Sequence, residues 1–330
     1  MKKGEILVLT SDEEAVLERV LIYLKEMGES FYRFNTETFP REARLTLLFS
    51  KGRRLRGFLR ASDGSMIDLG KIKSVWYRRP GVPRVDSGLP DGYARFAEEE
   101  CRACLWSLYT TLDSFWMNPP LTGYRLLEHN KLHQLRAAAS VGLRVPPTII
   151  TNDPVELKAF FERQKGSIII KTVASHFFRD QDGETVLIYS NKPSREKFLR
   201  HLGGVKFAPV MAQKYIPKKF ELRVTIVGSK TFACAIYSQD SERTRHDWRR
   251  YDFERVKHEP YQLPAKIEEK LLRLMKRWGL SFGAIDMILT PRNEYFFLEI
   301  NPQGQWGWIE TLTGLPISEA IARTLADPTS

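Results

Sequence analysis

Along the first 35 residues, the spacing of apolar residues is that of a strand, then of a helix, then of a strand again. The runs EILVLT at 5–10 and SFYRFN at 30–35 predict two strands. Between them, apolar residues keep the spacing of an amphipathic helix: Val16, Val20, Leu24 and Met27. Ser11 and Glu14 have the spacing of a capping box and are expected to begin that helix. The strand–helix–strand order predicts an open α/β beginning.

Further strands and one long helix precede a proline-containing segment that ends the periodic patterns. The strands are predicted from three apolar runs, RLTLLFS at 44–50, GRRLRGFLR at 52–60 and SVWYRRP at 74–80. Residues 94–112 have helical spacing, and NPP at 118–120 then interrupts both patterns. We therefore predict an N-terminal domain over residues 1–120.

A central domain is predicted over residues 121–208. Helical spacing covers three segments, 123–142, 153–165 and 194–204. Strands are predicted at 145–150, 167–173 and 184–190, and the last two are expected to pair with each other. Asp153 and Pro154 have the residue types of a helix cap and a first helical position.

A third domain is predicted over residues 209–330. Its sheet is assembled from five apolar runs at 210–216, 221–228, 230–239, 283–290 and 294–301. The segment 265–279 predicts an amphipathic helix packed between these strands. The fold class expected for the whole chain is α/β combined with α+β.

The last two predicted strands, GAIDMILT and EYFFLEIN, carry polar side chains among apolar ones. A tight turn at the intervening PRN segment places Asp286 directly opposite Glu299, and Asn301 shares the face of Glu299 because strand side chains alternate. Like charges this close should share a proton or a cation. Carboxylate and amide oxygens suit Mg²⁺. The alternative is that the three side chains lie at the end of the sheet and point to solvent.

Composition narrows the choice of partner and of chemistry. Lys plus Arg number 51 and Asp plus Glu 40, so 51 − 40 gives +11, which favours an anionic partner or reflects a solvated basic surface. Neither a membrane-spanning run nor a secretory signal is found, so a cytoplasmic protein is expected. The three cysteines are expected to be buried thiols in a reducing compartment.

Three basic residues stand in positions that favour phosphate binding. Lys171 lies inside the apolar run SIIIKTV, Lys131 begins an amphipathic segment, and Arg223 lies in the predicted strand ELRVTIVG. Together with the carboxylate pair they have the chemistry to hold a triphosphate with Mg²⁺. Neither the P-loop motif nor the glycine fingerprint of dinucleotide-binding folds occurs. Lys218 and Lys219 are interpreted as solvated linker charges.

The chain resembles the ATP-grasp ligases, and in particular the ATP-grasp peptide maturases that make microviridins and related graspetides. The resemblance covers nearly the whole chain, and SERTRHDWRRYD at 241–252 and FLEINPQGQWGWIE with TGLPI at 297–317 are its most specific segments. Further matching segments are RFNTETFP (33–40), VWYRRP (75–80), NPP (118–120) and NKLHQLRAAASVGLRVPPT (130–148).

The resemblance implies a pre-ATP-grasp N-terminal domain, a central domain that acts as a lid and docks a leader peptide, and a C-terminal catalytic domain. It also implies roles for matching residues. Those roles are phosphate contact for Lys131 and Lys171, adenine contact for Gln213, Lys214, Tyr215 and Ile216, phosphate or acyl-phosphate contact for Arg223 and Arg249, and Mg²⁺ binding for Asp286, Glu299 and Asn301. Lys171, Arg223 and Arg249 are the expected catalytic residues.

One segment departs from the family pattern. Many ATP-grasp enzymes have a glycine-rich loop between the two central strands, whereas ASHFFRDQDGE here contains a single glycine. His176 or Arg179 is therefore a candidate for covering the phosphates.

Several other residues have two interpretations. Arg78 and Arg79 either bridge domains or contact substrate, and of Trp306 and Trp308 one is expected in the core and the other beside a peptide substrate. Asp247 and Trp248 are expected to order the segment that carries Arg249. Asp247 and His246 are also candidates for a general base.

The function implied is a peptide macrocyclase that uses ATP and Mg²⁺. It would activate Asp or Glu side chains of a ribosomal precursor as acyl phosphates and join them to Ser/Thr hydroxyls or Lys amines. The implied partners are a precursor with a leader and an acidic core, and a second copy of the chain in a homodimer; no nucleic acid and no membrane are expected. Two alternatives stay open: another ATP-grasp ligase, which adds amino acids to a protein tail or joins metabolites, and a basic nucleic-acid-binding protein.

Overall fold

The fold is described from a computed structural model that covers residues 4–49, 56–128, 130–174 and 177–328, with the side chains of 122–124 left out. His176 lies outside the described residues. None of the helices in these ranges combines the length and apolar character needed to cross a membrane.

The N-terminal part contains a parallel sheet and a small antiparallel one. Its strands in chain order are β1 (Glu5–Thr10), β2 (Phe31–Asn35), β3 (Arg44–Leu48), β4 (Arg56–Arg60), β5 (Met66–Asp68), β6 (Ile72–Tyr77) and β7 (Phe115–Met117). The parallel sheet has the order β2-β1-β6-β7, and β3, β4 and β5 form the antiparallel one. Helices α1 (Leu17–Glu26) and α2 (Asp91–Thr111) connect strands of the parallel sheet.

The predicted capping box is wrong. Helix α1 begins at Leu17, and its N-cap Val16 makes no side-chain cap. Glu14 is buried and bonds to Arg78 over a distance of 3.0 Å. A buried cation attracts this carboxylate away from the helix end.

The central part contains a three-stranded sheet and a separate hairpin. Its strands are β8 (Thr148–Thr151), β9 (Ile168–Lys171), β10 (Phe177–Arg179), β11 (Thr185–Leu187) and β12 (Val210–Lys214). The sheet has the antiparallel order β8-β12-β9, and β10 pairs only with β11 among the described strands. Its helices are α3 (Lys131–Ser140), α4 (Pro154–Arg163) and α5 (Arg195–His201), with Asp153 capping α4 as predicted.

Three expectations about the central part are wrong. The single helix predicted over 123–142 is broken into a π-helix at Pro120–Arg125 and helix α3, whose first turn is capped by Asn130. The strand at 184–190 folds back onto β10 and not onto β9, because the Asp180 side chain accepts bonds from two backbone amides of the tight turn. Strand β12, expected in the last sheet, pairs with β8 and β9 instead.

The C-terminal part is built on one antiparallel sheet. Its strands are β13 (Phe220–Val227), β14 (Lys230–Ile236), β15 (His258–Tyr261), β16 (Phe282–Leu289) and β17 (Tyr295–Asn301), in the order β15-β14-β13-β16-β17. Helix α6 (Ala265–Arg277) buries its apolar side against this sheet, and α7 (Gly307–Thr313) and α8 (Ile317–Ala326) follow it. The predicted helix at 265–279 is confirmed.

One apolar cluster joins the two ends of the chain. Leu17, Val20 and Trp76 of the N-terminal part pack with Trp306 and Ile321 of the C-terminal part. This packing brings the carboxyl ends of β1 and β6 beside the segment that follows β17.

Candidate active site

The carboxylate pair is produced by the register of the β16–β17 hairpin. Leu289 pairs with Tyr295 next to the turn, and Asp286 pairs with Glu299, as predicted. The register shifts between these two pairs, so Leu298 is an extra residue on β17. The predicted pairing is therefore correct, although a three-residue turn and a bulge produce it.

The bulge also decides which side chains face the cleft. Phe297 and Ile300 are three residues apart, yet both are buried in the core. Leu298 and Glu299 are consecutive, yet both line the cleft between the central and C-terminal sheets. Strict alternation would have placed Phe297 and Glu299 on the same face.

Basic side chains surround the two carboxylates. Arg223 Nη1 donates to Asp286 Oδ1 over 3.0 Å, and Lys131 Nζ lies 3.4 Å from Glu299 Oε2. Lys171 and Arg249 line the same part of the cleft as Lys131 and Glu299. The structure thus brings together four basic residues from β13, α3, β9 and the loop after β14.

Unequal surroundings give the two carboxyls opposite pKa shifts. Burial raises the pKa of Asp286, although Arg223 opposes this effect. Burial acts in the same direction on Glu299, but Lys131, Lys171 and Arg249 outweigh it and lower the pKa of that group to about 2. Burial, together with the charges of Lys131 and Arg249, lowers the pKa of Lys171. An anion between these groups would relieve the repulsion among the cations.

Asp247 holds Arg249 in place. Its Oδ1 accepts the backbone N–H and Nε–H of Arg249 over 3.1 and 2.8 Å, and its Oδ2 accepts Nη2 over 2.6 Å and the Ser190 N–H over 2.9 Å. Burial opposes ionisation, yet these bonds hold the pKa of Asp247 well below its ordinary range. The ordering role is confirmed, and a general base role for Asp247 is disfavoured because both oxygens are engaged.

The segment from Gln213 to Ile216 borders the same cleft. The buried Gln213 side chain turns away and donates to Thr148 Oγ1 over 3.0 Å. The backbone N–H groups of Lys214 and Tyr215 donate to the carbonyls of Pro147 and Ser167, each over 2.9 Å. These bonds fix the segment beside apolar side chains of the cleft, a suitable surface for a flat base.

Sequence reasoning missed Glu221 and misjudged Lys218. Both side chains are buried, and Lys218 Nζ donates to Glu221 Oε1, which also accepts Ser238 Oγ–H over 3.1 Å. Burial raises the pKa of Glu221 against the opposing charge of Lys218. The missed signal was two charged residues, Glu221 and Arg223, two positions apart in an apolar strand.

His246 lies beside Tyr215 in the same cleft, and its Nδ1 is buried without a hydrogen-bond partner among the described residues. Burial, together with nearby Lys218, lowers the pKa of His246. The described part of the chain holds no group of three or more His, Cys, Asp or Glu residues suited to a metal.

The donor set nevertheless fits a hard cation. Asp286 and Glu299 supply carboxylates, and Asn301, at the exposed end of β17, supplies an amide oxygen that accepts the Gln303 N–H over 2.9 Å. Mg²⁺ needs only a few protein oxygens when phosphate and water complete its shell.

Arg78 bridges the N-terminal and C-terminal parts, as one interpretation predicted. It is 1% exposed, its Nη1 donates to the Gln303 carbonyl over 2.7 Å, and its guanidinium lies 4.6 Å from the centre of the Trp306 ring. Trp306 is fully buried, whereas Trp308 is partly exposed and stacks on Trp248 with ring centres 4.9 Å apart.

Comparisons with known proteins give matches over nearly the whole chain. Residues 5–122 match the MvdD pre-ATP grasp domain, and residues 128–325 match the RimK-like ATP-grasp domain. A search of curated proteins found no match.

Three solved structures illustrate the similarity. Macrocyclase MdnC from Microcystis aeruginosa MRC, bound with the precursor peptide MdnA, is 32% identical, with 98% of this chain and 99% of that chain covered and a TM-score of 0.84. A RiPP-associated ATP-grasp ligase from Chryseobacterium gregarium, in complex with ADP and a leader and core peptide, is 31% identical, with 99% and 98% covered and a TM-score of 0.90. Macrocyclase MdnB from Microcystis aeruginosa MRC is 30% identical, with 98% and 99% covered and a TM-score of 0.77.

The two family models and the arrangement of the sheets around the cleft therefore point to the same fold. The predicted fold, an ATP-grasp fold preceded by a pre-ATP-grasp domain, is confirmed. The chain belongs to the ATP-grasp ligases, as a member that joins an MvdD-type pre-ATP-grasp domain to a RimK-like ATP-grasp domain.

Proposed function

We propose that this protein macrocyclises a ribosomally made precursor peptide in an ATP-dependent reaction. The observation that carries the proposal is the cleft in which four basic side chains surround Asp286 and Glu299. The similarity to a macrocyclase bound with its precursor peptide supports the choice of substrate. The ligase class fits a site that binds phosphate and carboxylate together.

Charge balance supports a nucleotide with a divalent cation as the occupant. The charged residues that line the cleft, together with Arg223 bonded to Asp286, are six basic and four acidic, so 6 − 4 gives +2; they are Lys131, Lys171, Lys214, Lys218, Arg223 and Arg249, and Glu221, Asp247, Asp286 and Glu299. A triphosphate is strongly anionic, so ATP alone would overcompensate this charge. Asp286, Glu299 and Asn301 would hold Mg²⁺, which would neutralise negative charge on the phosphate oxygens.

The base of ATP would lie against the segment from Gln213 to Ile216. Its phosphates would extend toward Lys131, Lys171 and Arg223. Lys171 is well suited to this role because burial and neighbouring cations penalise its charge until an anion arrives. Arg249, held rigid by Asp247, would contact the transferring phosphoryl group.

The chemistry has two steps. A carboxylate oxygen of a core Asp or Glu attacks the γ-phosphorus of ATP, the bond to ADP breaks, and an acyl phosphate forms. A Ser/Thr hydroxyl or a Lys amine then attacks the acyl carbon, and the C–O bond to phosphate breaks with its electron pair. The proton of the nucleophile leaves with that phosphate, and the net change in the peptide is loss of one water for each ring.

The precursor would make two contacts with the protein. The acidic core is attracted to a chain with a net charge of +11. The leader would dock on the central domain, where the β10–β11 hairpin exposes Phe178 and Leu187. A homodimer and a cytoplasmic location complete the proposal, with domain limits at 1–120, 121–208 and 209–330.

A mass measurement tests this function. The protein is incubated with a cognate precursor, ATP and Mg²⁺, and we expect ATP-dependent loss of one water for each ring. A gain of mass would indicate instead a ligase that adds amino acids to its substrate. No ATP-dependent change with any cognate precursor would reject the proposal.

A further inference from the structure

A second crevice lies at the carboxyl edge of the N-terminal parallel sheet. It is lined by the segments that follow β1, β2 and β6, including 11–14, Glu37 and 79–85. Strand order reverses at β1, because β2 lies on one side of it and β6 on the other. In open α/β sheets, ligands bind in the crevice at such a reversal. The position therefore favours a binding site separate from the cleft between the central and C-terminal sheets, which is called the ATP cleft below because ATP is its proposed occupant.

The crevice is locally acidic on a basic protein. Five carboxylates line it, Asp12, Glu13, Glu14, Glu37 and Glu98, against three arginines, Arg41, Arg79 and Arg84. Arg79 lies 3.6 Å from Glu14, which also accepts the buried Arg78. The carboxylates of the crevice outnumber its arginines, so its net charge is negative, whereas that of the ATP cleft is positive.

Glu37 provides an independent indication of a missing partner. Its side chain lines the crevice but is only 6% exposed, and its Oε1 accepts the Asp12 N–H over 2.7 Å. Its Oε2 has no hydrogen-bond partner among the described residues. A buried carboxylate oxygen without a donor is costly. A ligand that brings an N–H or O–H group would remove that cost.

The backbone beside Glu37 is also strained. Arg79 has a φ of 48°, a conformation that a residue with a side chain rarely adopts and that collects at functional sites. Its backbone N–H donates to Gln303 Oε1 over 3.1 Å. The strain is thus held in place by the segment that follows the carboxylate-bearing strand β17.

Gln305 links the crevice to the ATP cleft. Its side chain lines the crevice and donates to Glu14 over 3.2 Å, and its carbonyl accepts Arg223 Nη2–H over 3.1 Å. Arg223 in turn bonds to Asp286. Gln305 therefore contacts a carboxylate of the acidic crevice and an arginine of the basic site.

We propose that this crevice binds the nucleophile-bearing segment of the precursor through a hydrogen-bond-donating side chain, a Lys ammonium or a Ser/Thr hydroxyl. A bound Lys ammonium releases one proton to solvent before its neutral amine attacks the acyl carbon, and its second proton leaves with the phosphate. The inference rests on the proposed macrocyclase function and extends it. The basic cleft binds the part of the peptide with the carboxylate to be activated (the carboxylate arm), together with ATP. The acidic crevice binds the part with the nucleophile (the donor arm). Opposite charges at the two sites sort the two arms before the ring closes.

Hydroxylamine separates activation from ring closure. It is a small nucleophile that converts an acyl phosphate to a hydroxamate without needing the donor site. Wild type, Glu37→Gln and the control Glu29→Gln are each assayed with ATP, Mg²⁺ and the precursor, with and without hydroxylamine. Glu29 is a carboxylate of the same domain that bonds to Lys73 outside the crevice. The ratio of ring closure to hydroxamate does not depend on the folded fraction.

For Glu37→Gln we expect that ratio to fall about tenfold, because a charged hydrogen bond to the substrate is lost. Precursors with Lys or Thr at the nucleophile position identify the donor, and the fall should be larger for Lys if the ammonium is bound. A ratio within about twofold of wild type, or an equal fall in Glu29→Gln, overturns the inference. If wild type forms neither rings nor hydroxamate, the macrocyclase function itself fails.

Discussion

The charge on Asp286 and Glu299 depends on their immediate neighbours. The two carboxyls are opposite each other, yet Glu299 has Lys131 and Lys171 nearby, whereas Asp286 has Arg223. The Asp286 side chain is 14% exposed and that of Glu299 is 25% exposed. Burial dominates at Asp286 and basic neighbours dominate at Glu299. Asp286 therefore accepts a proton before Glu299 as the pH falls.

Replacing one member of the pair should remove catalysis without removing the fold. For Asp286→Asn we expect ADP release to fall about 100-fold or more, because the substitution neutralises a proposed ligand of Mg²⁺. The measurement is ADP release with precursor as Mg²⁺ is varied, and chelation of Mg²⁺ should stop the wild-type reaction. Glu294→Gln is the control, since Glu294 lies at the hairpin turn and bonds to Arg144. Equal activity of both variants would contradict the metal assignment.

Glu299 should make the stability of the free protein depend on pH. Its folded pKa of about 2 lies below the ordinary value of 4.5, so it contributes stability that is present above about 4.5 and is lost as the pH falls through about 2. The free energy of unfolding of wild type and Glu299→Gln is compared by urea denaturation at about pH 6 and about pH 3. We expect the difference between them to shrink at the lower pH; a constant difference would show that the basic neighbours do not act on Glu299.

At the scale of elements, the bulge on β17 is the feature that simple periodicity does not predict. Phe297 and Ile300 both pack into the core, and only an extra residue between them permits this. The pairing of Asp286 with Glu299 was predictable from turn position, but the shared orientation of Leu298 and Glu299 was not. Apolar packing on the core side decided it.

The β10–β11 hairpin carries an apolar surface that the described chain leaves uncovered. Phe178 is 50% exposed. For Phe178→Ser we expect the dissociation constant of a labelled precursor to rise about tenfold, because an exposed aromatic anchor is lost. Fluorescence anisotropy measures the binding. Phe207→Ser is the control, since Phe207 is 93% exposed in the same predicted domain. Unchanged affinity for Phe178→Ser would place the leader elsewhere.

At the scale of the whole molecule, the buried Arg78 connects the two ends of the chain, because it pairs with Glu14 of the N-terminal part and donates to the Gln303 carbonyl of the C-terminal part. Arg78 and Glu14 are 1% and 4% exposed, and Arg78 also contacts the segment after β17. This hydrogen bond holds the segment that follows β17 against the N-terminal part.

Removing Arg78 should loosen that junction. For Arg78→Ala we expect a loss of about 3–5 kcal/mol in the free energy of unfolding, because Glu14 loses its buried partner and keeps only Arg79, 3.6 Å away, as a neighbouring cation. Urea denaturation followed by tryptophan fluorescence measures it, since Trp306 lies against the guanidinium. Arg102→Ala removes an exposed helix pair and should cost less than about 1 kcal/mol. Similar losses in both variants would argue against a structural role for Arg78.

The sequence by itself determined the class of fold, most helices and strands, and the facing carboxylates, because apolar periodicity and turn chemistry act over a few residues. Only the tertiary structure decided that β12 joins the central sheet, that Glu14 pairs with Arg78 and that Lys218 is buried with Glu221. Each of these depends on residues that are far apart in the sequence and are brought together by packing. Local patterns do not predict which distant residue will be the partner.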